Sequence, residues 1–311
     1  MSDVDEPELP RGVALAWGIA ANPQRGPKRE MSVERIVEAA VEIADADGLA
    51  AVSMAAVAAK LGFTPMSLYR YVSAKDDLVL LMQEEATGAP SDASRAAGDW
   101  REQLEALYRE QLHNYLQHPW VLDVPITGVP ATPNSAAWMD AGLHALAGTG
   151  LTHEERLAVM LLVTGTAHWA GTVMAGYART QRERGFDDQS IASAEDALFR
   201  TLITADAYPD LREAIDAGVF LDESDPFSFS LARGLDGVAD FIAEAQRDPA
   251  RATAREPWGA PADAEIAGDK KFREAQKAVR DAERMLRVAR KAERQAAREA
   301  RDRHARQRAE G

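Results

Sequence analysis

Residues 58–78 read AAKLGFTPMSLYRYVSAKDDL. An alanine-rich run at helical spacing meets Gly62, a residue type that takes the left-handed conformation of a helix stop without steric cost. Three positions on, Pro65 suits the first position of a new helix, where the amide has no intrahelical partner. Helices over Met54–Leu61 and Pro65–Tyr71, joined by Gly62-Phe63-Thr64, have the dimensions of a helix-turn-helix. Val57, Leu61, Leu68 and Val72 fall toward a small core. That leaves Pro65, Met66, Ser67, Tyr69, Arg70 and Tyr71 near the outer face. Ser67 suits a bond to a base edge and Met66 a thymine methyl. The tyrosine hydroxyls and Lys75 suit phosphates, which position a protein without reading sequence.

Two short helices could instead complete an α-domain, with the tyrosines as ordinary packing residues. Against that, residues 32–86 resemble the DNA-binding domain of the TetR family of transcriptional regulators. In that family a glycine turn is followed by a helix ending in Leu-Tyr-x-aromatic and then a lysine; here these are Leu68, Tyr69, Tyr71 and Lys75. The resemblance implies an all-α protein: an N-terminal three-helix DNA-binding domain with the helix-turn-helix, a larger helical ligand-binding and dimerisation domain, and here a charged helical tail. It places Pro65, Met66 and Ser67 at base-contacting positions and Tyr69, Tyr71 and Lys75 at phosphate-contacting ones. Many members carry a basic or polar base reader early in the second helix, where this chain has Ala55. Specificity is then relaxed, or supplied by Arg70 or by a basic arm. Further implications are a cytoplasmic homodimer on a pseudo-palindromic site in double-stranded DNA, more repressor than activator, released by a small apolar or drug-like effector, with no cofactor and no catalysis.

The chain has 311 residues and a net charge of −14, which argues against indiscriminate binding to nucleic acid but not against a local patch. The charge is uneven: from Asp269 onward 15 Lys/Arg stand against 8 Asp/Glu, leaving −21 for residues 1–268. Arg25, Lys28 and Arg29 lie just before the first helix, where a basic segment could enter a minor groove or simply remain solvated. Residues 25–88 hold 7 basic and 10 acidic groups, so Asp45, Asp47, Glu84 and Glu85 should point away from DNA. With no cysteine, disulfides, thiolate metal sites and cysteine nucleophiles are excluded. The acidic start MSDVDEPELPRG is unlike a signal peptide.

The spacing predicts a flexible arm over 1–31, the DNA-binding domain over 32–88, a helical effector and dimerisation domain over 89–247, a linker over 248–268 and a helical tail over 269–311. In the larger domain helices are expected over Leu78–Ala86, Trp100–Gln117, Ser135–Ala147, His153–Arg184, Ile191–Asp206 and Pro226–Arg247. Leu157–Ala178 holds no Asp, Glu, Lys or Arg in 22 residues, long enough to cross a bilayer, although its glycines, threonines and histidine dilute the hydropathy. The expectation is no membrane: a helix apolar on all sides is either lipid-facing or buried between other helices. By the resemblance this helix packs on its two-fold mate, with Gly165, Gly171 and Gly176 permitting close approach and Pro226–Arg247 as second interface helix. Trp120, Trp138, Met139, Met160, His168, Trp169, Met174 and Tyr177 suit an adaptable apolar pocket, or plain core.

His113, His118, His144, His153 and His168 make no His-x-x-x-His pair, and His153-Glu154-Glu155 is explained by helix capping, so no metal is expected. No phosphate loop or nucleophile elbow points to an enzyme. In the tail, Phe272, Ala275, Val279, Ala282, Leu286, Ala289 and Ala296 form a weak stripe interrupted by Glu293. A solvated helix, docking on the acidic body and a sequence-independent DNA contact all remain open. The rival reading for the whole chain is a helical small-molecule-binding or scaffolding protein whose N-terminal domain mediates protein contacts.

Overall fold

A computed structural model describes residues 9–19, 31–96, 98–126, 128, 131–185, 187–222, 224–251, 266 and 268–309. The described regular structure is entirely helical. The chain divides into two compact units, Met1–Arg251 and Ala252–Gly311.

The first unit begins with α1 (Arg11–Ala16). The DNA-binding module follows: α2 (Val33–Asp47), a short 3-10 turn at Leu49–Ala51, α3 (Met54–Leu61), α4 (Pro65–Leu68) and α5 (Lys75–Thr87). Ser32 and Ser53 start α2 and α3, each accepting a hydrogen bond from the amide three residues on. Ile36, Val37 and Ala40 of α2, Val57 of α3, Leu68, Val72, and Leu78 and Met82 of α5 close one core.

The larger part comprises α6 (Asp92–Ala96), α7 (Trp100–Gln117), a 3-10 turn at Pro119–Asp123, α8 (Pro133–Ala145), α9 (His153–Arg184), α10 (Asp188–Leu202), α11 (Pro209–Asp216) and α12 (Pro226–Arg247). Its core is built from Leu104, Leu107 and Tyr108 of α7, Trp138 of α8, Val163 and Ala167 of α9, and Leu231 and Leu235 of α12. Thr152 and Glu155 form a reciprocal capping box that starts α9. The helix passes the length and hydropathy test for a membrane span, but its mid-length face is packed on α7, α8 and α12.

Three expectations change. Residues 11–16 of the expected flexible arm are helical and seated on α5: the buried Gly12 N–H donates to Asp77 Oδ1 at 2.9 Å, and Trp17 Nε1 donates to the carbonyl of Ala131. A side chain at Gly12 would press to 3.2 Å of the Asp77 backbone, so the close approach needs glycine there. The expected linker does not begin at residue 248, because Arg251 is buried, 2.6 Å from Glu155 and 5.0 Å above the Phe241 ring. Most of 252–268 lies outside the described residues. Finally, the helix expected over Ile191–Asp206 is shifted: α10 runs Asp188–Leu202, and α11 forms a hairpin with it, fixed by Arg200 on Asp216 and by stacking of Phe199 on Phe220.

The two parts of the first unit share polar ties. Asp45 Oδ1 on α2 accepts from Trp120 Nε1 at 2.7 Å and lies 2.8 Å from His118 Nδ1. Glu84 accepts from the Asn134 amide, Asn114 Nδ2 donates to the carbonyl of Thr87, and Trp138 Nε1 donates to that of Gly88. The Trp120 ring is buried while Asp45 is exposed, so on loss of the carboxylate water could reach the indole N–H only from the Asp45 side. Asp45→Ala is therefore expected to lower the unfolding free energy by about 1–3 kcal/mol in urea titration, and Asp45→Asn, which keeps an acceptor oxygen, by clearly less. Equal stability of Asp45→Ala and the wild type would show that the bond carries nothing.

Candidate nucleic-acid interface and effector domain

Between α3 and α4 the chain must reverse within three residues. Gly62 does this at φ +77° and ψ +27°. Its amide donates to Ala59 and the amide of Phe63 to Ala58, the paired bonds of a Schellman stop, while Phe63 packs against the core. Thr64 is extended, Pro65 opens α4, and the Thr64 and Ser67 hydroxyls are 2.9 Å apart. The recognition segment is shorter than expected. Regular helix spans Pro65–Leu68, and Tyr69–Tyr71 continue as turns, with the amides of Tyr71 and Val72 both bonded to the carbonyl of Leu68.

Alternation of buried and exposed residues gives this segment two sides. Leu68 and Val72 are fully buried and Tyr71 packs half-buried on the same core. Met66 is 74% exposed and Tyr69 45%, with Pro65, Arg70 and Lys75 also exposed and Ser67 between. Pro65, Met66, Ser67, Tyr69 and Arg70 thus share one outward segment, and Lys75 stands in the first turn of α5, whose amides favour an anion. Arg25, Lys28 and Arg29 lie outside the described residues. Asp45 and Glu84 are engaged with the larger part of the unit rather than facing the outward segment.

The eight residues expected to line a pocket do not come together. Trp120 belongs to the core of the DNA-binding module, because its indole reaches Asp45. Trp138 is buried in the larger core, Met160 is buried against Gly142 of α8, and Met139 is half-buried. His168 meets the Tyr115 ring edge-on at 5.7 Å. Trp169, Met174 and Tyr177 lie on exposed faces of α9, the Tyr177 hydroxyl donating to Glu195 of α10. Helical spacing alone could not say which face of α9 is inside.

Sequence reading missed the polar groups of α7. Tyr108 and Gln111 are buried one turn apart, and among the described residues the Tyr108 hydroxyl and Gln111 Oε1 have no partner in hydrogen-bonding geometry. Burial, and then the charge of Asp225, hold the Tyr108 phenol above its ordinary value, offset in part by Ser228. Burial also raises the Tyr115 phenol, one turn further along the same face. Buried polar atoms without partners are where a ligand's polar groups gain most.

On its other face α9 presents Leu161, 62% exposed, and Trp169, 61% exposed, and α12 exposes Phe229, at 67%. Leu161, Leu162, Trp169 and Phe227 line an open groove of about 580 Å³ there. Gly165 and Gly176 have open space over them, as close approach requires. Gly171 does not, since a side chain there would meet Tyr115 at 3.0 Å, so it serves the contact with α7. Of the expected interface residues on α12, Leu231 and Leu235 are instead core.

Comparison with known proteins agrees with this architecture. Residues 36–82 match the family profile for bacterial regulatory proteins of the tetR family, and residues 93–242 that for the tetracyclin repressor-like C-terminal domain. The HTH-type transcriptional repressor DrrR1 of Streptomyces coeruleorubidus is 34% identical over 249 residues, covering 78% of this chain and 90% of the relative. An HTH-type transcriptional regulator of Saccharopolyspora erythraea is 33% identical over 128 residues, 41% of this chain and 54% of the relative. Among solved structures, apo ActR from Streptomyces coelicolor superposes with a TM-score of 0.59 at 23% identity, over 70% of this chain and 99% of ActR.

The αL stop at Gly62 sets the angle of the outward segment. Gly62→Ala is expected to cost about 1–2 kcal/mol of stability, the penalty of a Cβ in that conformation, read as a lower urea midpoint. An unchanged midpoint would mean that the turn is not held in this geometry.

Proposed function

The chain belongs to the TetR family of bacterial DNA-binding transcriptional regulators, and we propose that it is a cytoplasmic repressor acting as a homodimer on an inverted-repeat operator and released by a small-molecule effector. The carrying observation is the split of the turn segment: Leu68, Tyr71 and Val72 anchor it in the core while Met66, Tyr69 and Arg70 face outward. A three-quarters exposed methionine beside an exposed tyrosine and arginine is poor packing and good groove-reading chemistry. Arg70 takes the base-reading or phosphate-clamping role that Ala55 cannot supply.

Dimerisation is supported by the exposed apolar stripe of α9 and α12, which is too large in side chain to be left to water. Two copies related by a two-fold axis would put their outward segments in successive major grooves, about 34 Å apart. The effector site is assigned to the polar face of α7, at Tyr108 and Gln111, in place of the scattered tryptophans and methionines. ActR, which shares the fold, has been solved with actinorhodin and with (S)-DNPA, and an effector carrying polar groups would engage Tyr108 and Gln111 here. An effector that binds one separation of the two recognition segments better than the other shifts the population between them.

Selection from random duplexes at near-physiological salt is expected to enrich an inverted repeat. On that repeat Arg70→Ala should weaken binding by about 1–3 kcal/mol and Tyr69→Phe by about 1 kcal/mol, with thermal unfolding unchanged. Wild-type affinity in both variants would contradict the assignment. Trp169→Glu places a charge on the shared face and is expected to yield folded monomers that bind the repeat at least tenfold more weakly; a stable dimer of this variant would move the interface elsewhere.

A further inference from the structure

The second unit carries a surface that neither family profile covers, since the matched residues end at 242. It contains α13 (Lys270–Ala309), an unbroken helix of 40 residues. Arg273, Lys277, Arg280, Arg284, Arg287 and Lys291 are all exposed and follow one another at steps of four and three. On a helix that spacing stacks them into two adjacent columns on one face. The columns repeat every seven residues, about 10.5 Å, and the six cations span roughly 27 Å, the rise of about eight base pairs. The spacing continues in the sequence at Arg294, Arg298 and Arg301. Glu274, Asp281 and Glu283 fall on the flanks of this stripe, with Arg284 3.6 Å from Asp281.

We propose that this stripe is a second, sequence-independent DNA-binding surface that grips the phosphates of a DNA duplex. A stripe of two adjacent columns of cations with no acidic residue within it matches a polyphosphate better than a protein surface of mixed charge. A lipid surface is a poorer match. Among the alanines of the same span its large apolar groups are Phe272, Val279, Met285, Leu286 and Val288, which are spread around the helix, whereas helices that lie in bilayers gather large apolar residues on one broad face. Residues 1–268 carry −21, so without such a stripe long-range repulsion would slow approach to DNA. The proposal rests on the operator-binding reading only in that a duplex is the partner.

The test uses the full chain with all six residues changed to Gln, which keeps helix propensity and removes charge. Far-UV circular dichroism confirms the helix, and a companion variant with the four arginines changed to Lys keeps the charge. Binding to a duplex lacking the operator is titrated between about 50 and 300 mM KCl. Each phosphate contact contributes about 0.9 to the slope of log K against log salt, so the Gln variant should show a slope flatter by about two to five units and bind at least tenfold more weakly at low salt. The Lys variant should keep the wild-type slope. Equal slopes for wild type and the Gln variant would overturn the proposal, whether the tail is solvated or docked on the acidic body. So would tail-dependent binding to phosphatidylserine-rich vesicles with the DNA slope unmoved. Arg70→Ala separates the two readings: it should lose preference for the operator yet keep the steep, tail-dependent slope on any duplex.

Discussion

A helix that is apolar around its circumference needs cover around its circumference, and α9 is such a helix. One face, with Val163, Ala167 and Ala170 fully buried, is closed by α7, α8 and α12. The opposite face, through Leu161 and Trp169, is exposed among the described residues of the first unit. At about 25 cal/mol per Å² of apolar surface, a stripe of this kind is a strong drive to association. In the proposed dimer the second copy covers it, and the same contact sets the separation of the two recognition segments. The inner face is equally constraining. Gly171 lets Tyr115 approach α9, and that close contact fixes where Tyr108 and Gln111 stand on α7.

From α7 the path to the DNA-binding module is short and polar. The helix ends at His118, and the turn after it carries Trp120, so both groups that reach Asp45 of α2 depend on where α7 ends. Asn114 of α7 caps the carbonyl of Thr87 at the end of α5. Movement of α7 on effector binding would therefore be passed to α2 and α5 together, which hold the turn segment through Ile36, Leu68 and Leu78. Packed interfaces of this kind switch between discrete arrangements rather than deforming smoothly. A few hydrogen bonds, each with a net worth of about 1 kcal/mol, match the 1–3 kcal/mol scale of allosteric coupling.

Most of the DNA-binding module was legible in the sequence because its signals are local. Gly62, Pro65, Ser32 and Ser53 act within one turn of themselves, and the period of Val57, Leu68 and Val72 marks the core side directly. Contacts at long range were not legible. Arg11–Ala16 is six residues with a glycine inside, helical because Asp77, 65 positions away, accepts from it. Trp120 looked like a pocket residue until its partner Asp45 placed it in another core. Between Leu157 and Ala178 of α9 no position is charged, so no periodicity distinguished Val163, which is buried, from Leu161 and Trp169, which are not. Tyr108 and Gln111 carried no signal at all, since an unpartnered buried polar atom is visible only once its neighbours are placed.

The central claim is that two copies joined through α9 and α12 act as one DNA-reading unit. Sedimentation equilibrium of the wild-type chain, alone and with a duplex carrying its selected repeat, tests this most directly. The account predicts twice the chain mass in the free state and two chains per duplex, in a single cooperative step. A free monomer with one chain per duplex would contradict it.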